Sequence, residues 1–138
     1  MQDVDIDKLV QQAATSGTAD DLKQLWKAAL DLEQWHFITK VREQLQDGKP
    51  FIGVIDDKPW VFVFTDRQKA QSYCSMPQNE GFVDSSGSAL IISMETDKAI
   101  GYLLELAEAG VYGIRFNEGN GWFAPLANLQ AVIAYVRQ

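Results

Sequence analysis

Near the N-terminus, Ile6, Leu9, Val10 and Ala13 recur at the i, i+3, i+4, i+7 spacing of an amphipathic helix. After a Ser16-Gly17 break, Leu22, Leu25, Trp26, Ala29 and Leu30 repeat the pattern, so the short gap predicts an antiparallel helical hairpin. Thr18 followed by Ala19, Asp20 and Asp21 offers a side-chain acceptor and negative charge to the free N–H groups of the second helix. From Trp35 the period falls to two. Trp35, Phe37, Thr39 and Val41 take one side of a strand, and His36, Ile38, Lys40 and Arg42 the other.

Asp47-Gly48 signals a turn, and FIGVI and WVFVF then read as a hairpin around Asp56-Asp57-Lys58-Pro59. The second run is apolar on both faces, with Trp60, Phe62 and Phe64 on one and Val61 and Val63 on the other, which predicts a central strand covered on both sides. It runs directly into "TDRQKA", where Thr65 and Gln68 have capping-box spacing. Ala70, Tyr73 and Cys74 form the inward stripe of that helix, and Pro77 and Gly81 end it.

Beyond the loop from Asp84 to Ser88, ALIIS reads as a short strand and TDKAIGYLLELAEAG as the clearest helix, stopped by Gly110. Its apolar arc holds Ala99, Ile100, Leu103, Leu104, Leu106 and Ala107. YGIRF and GWF form a further hairpin around Asn117-Glu118-Gly119-Asn120-Gly121, where glycine and asparagine accept positive φ. Pro125 suits a first helical turn, and Leu126, Leu129, Val132, Ile133 and Val136 make the last helix amphipathic. The pattern predicts one α+β domain spanning residues 1–138. Its sheet is mixed, largely antiparallel and five- to six-stranded, with helices packed on both faces and an N-terminal helical hairpin.

Composition narrows the function. No run approaches eighteen apolar residues, so no membrane span is expected, and the acidic, interrupted start is unlike a secretory signal. Nineteen acidic against twelve basic side chains leave a net charge of -7, with Lys and Arg scattered singly, and such a field repels nucleic acid. The single Cys74 fits a reducing, cytoplasmic setting and reads as a buried helix residue. The dinucleotide, phosphate-loop, zinc-protease and CxxC motifs are absent, so no cofactor or metal is expected. Asp56-Asp57 belong to a turn, and Glu105 and Glu108 to the wet arc of a helix. Any hydrolase would have to pass through His36, the only histidine, and the sequence positions no nucleophile beside it.

Aromatic residues carry the recognition argument. Trp122 and Phe123 are adjacent in a strand and point to opposite faces, so one of them is a candidate for exposure.

The strand ending in "VFVFTDRQKA" and the stretch "LLELAEAGVYGIRFNEGNGWFAPL", preceded by the helical segment leading to Trp35, resemble the N-terminal domain of the SseB-like family. In that family an aromatic-rich strand ends in Phe-Thr before a helix, as Phe64-Thr65 does, and a later strand ends in Asn-Pro-Gly. Here the second signature reads Asn117-Glu118-Gly119, without the proline. The likeness extends from about residue 18 to residue 136. It implies a bacterial α+β module, of a kind associated with type III secretion or an enhanced-serine-sensitivity phenotype, and carries over no catalytic residue.

The expected function is therefore a non-catalytic protein-interaction or regulatory module. Its candidate partner surface is Asn117, Gly119 and Trp122, its partner an unknown protein, and a homodimer is one possibility. The alternatives are a small-ligand binding domain in a pocket between sheet and helices, or a hydrolase-like enzyme using His36.

Overall fold

The computed structural model describes residues 6–39, 50–77, 79, 81–118 and 121–137. Two helices, α1 (Ile6–Ser16) and α2 (Ala19–Leu30), lead into strand β1 (Gln34–Thr39). The hairpin β2 (Ile52–Ile55) and β3 (Lys58–Phe64) precedes α3 (Arg67–Cys74), β4 (Leu90–Glu95) and α4 (Thr96–Glu108). The chain closes with β5 (Gly113–Phe116), β6 (Trp122–Pro125), a 3-10 turn (Leu126–Asn128) and α5 (Leu129–Val136). The expected Lys40, Val41 and Arg42 end of the first strand and the Asp47-Gly48 turn lie outside the described residues.

The strands form one mixed sheet in the order β4-β1-β3-β5-β6, with β2 also paired to β3. All pairings are antiparallel except β3 with β5, where Val61 lies opposite Ile114. The parallel pair is joined through α3, β4 and α4, which supply the crossover that parallel strands require. β3 is the hub: its first half pairs with β2, its end with β1 and its middle with β5.

The two-sided apolar pattern of β3 divides the interior. Val61 and Val63 belong to the larger core with Trp35, Phe37, Ile114 and Phe116, closed by Trp26 and Ala29 of α2, Leu103 of α4 and Leu129 of α5. Trp60, Phe62 and Phe64 belong to a second core with Ile38, Phe82 and the α3 residues Ala70 and Cys74. The expected helices on both faces are present. The N-terminal hairpin closes through Ile6 and Val10 of α1 against Leu25 of α2. Thr18 caps α2 as expected, its side chain accepting from the Asp21 N–H at 3.2 Å, whereas Leu22 stands exposed rather than facing inward.

Three local expectations change. Asp56 and Asp57 both have positive φ, and Ile55 pairs with Lys58, so the hairpin turn has two residues and β3 starts before Pro59. Asp66, not Thr65, caps α3, because its Oδ1 accepts from the Lys69 N–H at 2.7 Å. Pro125 ends β6 opposite Gly113 and the helix proper begins at Leu129, after the 3-10 turn.

Candidate functional site

Three features emerge where the elements meet. The first surrounds His36, which antiparallel pairing of β1 with β4 sets directly opposite Ser93. The imidazole Nδ1 lies 2.7 Å from Ser93 Oγ. The guanidinium of Arg67, at the start of α3, donates to the same oxygen at 3.1 Å. His36 is buried while Ser93 is half-buried, so the serine is the more accessible partner. Burial, reinforced by Arg67 and partly opposed by Asp66, holds the imidazole below its ordinary pKa. The sequence offered no nucleophile for His36 because Ser93 lies in a different strand, and only the β1–β4 register joins them.

That depressed pKa has a definite sign for stability. In the unfolded chain the histidine takes up a proton near pH ~6.5, but in the folded chain only at lower pH. Between those limits the unfolded state binds more protons, so stability present above the ordinary range falls as the pH drops into this window. Urea midpoints of wild type and His36→Gln, compared across the window, are expected to show a steeper loss in the wild type. Parallel curves would mean that His36 titrates normally.

The second feature is at the carboxyl ends of the parallel strands β3 and β5. Asn117 is only 4% exposed and adopts φ 50°, a left-handed conformation that asparagine tolerates. Its Oδ1 accepts from the Thr65 N–H at 2.9 Å and its Nδ2 donates to Thr65 Oγ1 at 3.0 Å. Asn117 and Thr65 therefore tie the two strand ends together and satisfy each other away from water. Beside this clasp opens a cleft of about 420 Å³, lined by residues including Phe64, Lys69, Tyr73, Asn117 and Glu118. Lys69 Nζ bridges Asp66 at 3.1 Å and Asp7 at 3.3 Å, fastening α1 to α3 across it. A cleft of this size and mixed lining has room for a small polar molecule.

The third feature is aromatic. Trp122 stacks on Phe116 with ring centroids 4.5 Å apart and meets Trp26 edge-on at 5.9 Å. Its Nε1–H is buried and finds no acceptor among the described residues, so it is not presented to a partner. Phe123, on the other face of β6, is 62% exposed. It is held edge-on to Trp60 at 5.6 Å, with the Arg115 guanidinium 5.1 Å from its ring and 4.5 Å from the Trp60 ring. Tyr112 meets Trp60 from another side at 5.1 Å and carries Lys58 Nζ over its own ring at 4.3 Å. Gly113 makes room for this arrangement, since a Cβ there would lie 2.4 Å from Trp60 Cζ3. The sequence identified the Trp122–Phe123 alternation but could not tell which face the helices cover. Of the expected partner surface, Asn117 is a buried clasp, Trp122 is half-buried in the core, and Gly119 lies outside the described residues.

Other chemistry is limited. Burial pushes the Cys74 thiol up to about 11, so it stays protonated and inert at neutral pH. Among the described residues no group of three or more His, Cys, Asp or Glu side chains is placed to hold a metal ion. No helix among them is long and apolar enough to cross a membrane. Comparison with known proteins finds no matching family model and no matching curated protein sequence.

Proposed function

We propose that this domain is a protein-interaction module that receives an extended segment of another protein along β6. The observation that carries this reading is Phe123, a large apolar ring left 62% exposed yet fixed by Trp60 and Arg115. A side chain already held in place loses little rotamer freedom on binding, which is what an aromatic anchor requires. β6 ends the sheet, paired to β5 and to no other strand among the described residues, so its outer edge can accept main-chain hydrogen bonds from an added strand.

Size favours a segment over a second globular copy. Phe123 and Tyr112 are 62% and 37% exposed, and together offer on the order of 200 Å² of ring surface. A stable dimer interface covers about 800 Å² per partner, so the patch is an anchor and not a whole dimer face. The reading agrees with the SseB-like resemblance and with a cytoplasmic setting for the one buried thiol.

Phe123→Ser tests the surface. A partner retained by the immobilised wild type, identified by mass spectrometry and then purified, is expected to bind this variant at least about 10-fold more weakly, with the thermal midpoint of the domain unchanged. Equal affinity for the two proteins would remove β6 from consideration. Sedimentation of the wild type alone reports whether the partner is another copy of the same chain.

A further inference from the structure

We propose that Ser93 is a nucleophile for acyl transfer, with His36 as its general base and Arg67 facing the oxyanion, giving the domain a hydrolytic activity toward small activated carboxylic esters. The inference is independent of the interaction surface on β6. It rests on three groups that the fold brings together from β1, β4 and α3.

Ser93 Oγ and His36 Nδ1 are 2.7 Å apart, within the reach that proton transfer between nucleophile and base requires. The N–H of Arg67 occupies one lone pair of the same oxygen at 3.1 Å. This leaves the hydroxyl proton free to point at Nδ1, which accepts it when the imidazole is neutral. Burial and the neighbouring guanidinium keep the ring in that neutral, accepting form. A fixed positive charge beside Oγ also favours the negative charge that develops when the serine attacks. Access comes from the edge: among the described residues β4 pairs only with β1 and ends the sheet opposite β6, Ser93 is half-buried and Arg67 is exposed, so a small carbonyl compound can reach Oγ without entering the core.

The reaction balances with these groups and water alone. As Ser93 Oγ bonds to the carbonyl carbon, its proton passes to His36 Nδ1 and the carbonyl oxygen becomes an oxyanion facing Arg67. Collapse of the adduct breaks the bond to the leaving alcohol oxygen, which receives the proton from His36. Water then adds to the acyl-serine, again giving a proton to His36. Breakage of the Oγ–acyl bond releases the carboxylic acid, and His36 returns the proton to Ser93. Asp66 is near enough to draw the imidazole charge state in the opposite sense from Arg67, and so favours the transient imidazolium. Activated esters are the substrate class because a phenolate-type leaving group needs little further assistance.

The test treats the whole chain with diisopropyl fluorophosphate and maps the adduct by tandem mass spectrometry, alongside hydrolysis of p-nitrophenyl acetate. A phosphorylating reagent of this kind traps a serine by the same attack, with fluoride as the leaving group, so a single adduct on Ser93 is expected. Ester hydrolysis should disappear in Ser93→Ala and fall on the order of 100-fold in His36→Gln. Ser93→Ala removes one half-buried hydroxyl oxygen and is read first, with far-UV circular dichroism to confirm the fold. Absence of an adduct on Ser93, adducts spread equally over several serines, or wild-type hydrolysis rates in Ser93→Ala would each overturn the assignment.

Discussion

Replacing Trp35 by alanine is expected to lower the unfolding free energy by about 3 to 5 kcal/mol. The side chain is completely buried, its Nε1–H donates to the Ala29 carbonyl at 2.8 Å, and its ring meets Phe116 edge-on at 5.0 Å. It therefore joins three elements at once: β1 that carries it, the end of α2 and the end of β5. Alanine would leave a cavity in the larger core, and neighbours anchored to the sheet can collapse into it only in part. Trp35→Phe keeps a ring but loses the hydrogen bond, so the expected loss is smaller, about 1 to 2 kcal/mol. Urea denaturation followed by far-UV circular dichroism separates the two without relying on indole fluorescence. A loss below about 1 kcal/mol for Trp35→Ala would mean that the face shared by Trp35, Val61 and Val63 is not closed by α2.

How far the sequence foretells such sites depends on the range of the signal. The two rows of β3 were readable because strand side chains alternate, and an unbroken apolar run needs cover on both sides whatever supplies it. The helices followed from local spacing, and Leu103 and Ala99 of α4 are buried as their arc requires. Choices between adjacent residues were less legible. Thr65 and Asp66 are both good capping residues, and the decision fell to Asp66 because Asn117, distant in sequence, engages Thr65. Trp122 and Phe123 had to diverge, but their exposure depends on where α2 lies, and Trp26 of that helix covers Trp122. His36 with Ser93 is the extreme case. Neither residue carries a local motif, and a register shift of one position between β1 and β4 would turn the serine to the opposite face.

The same dependence on register makes Gly121 a severe test of the β5–β6 hairpin. A Cβ added there would lie 1.8 Å from the Phe116 carbonyl oxygen and 2.8 Å from that of Asn117. Both obstacles are backbone, which cannot swing aside as the end of a side chain can, so Gly121→Ala must push β6 away from β5. Overpacking commonly costs about 1 to 3 kcal/mol, and a clash this deep against main chain belongs at or above the upper end. Displacement would also part the stacked Phe116 and Trp122 rings and disturb Asn117, whose side chain holds the end of β3 through Thr65. Gly101, exposed on α4 with open space around its Cβ position, is the matched control. Alanine there is expected to raise stability by up to about 1 kcal/mol through helix propensity. Urea midpoints for the two variants should therefore move in opposite directions. If Gly121→Ala instead stays within about 0.5 kcal/mol of wild type, the hairpin takes another path, and the placement of Phe123 beside Trp60 and Arg115 loses its footing.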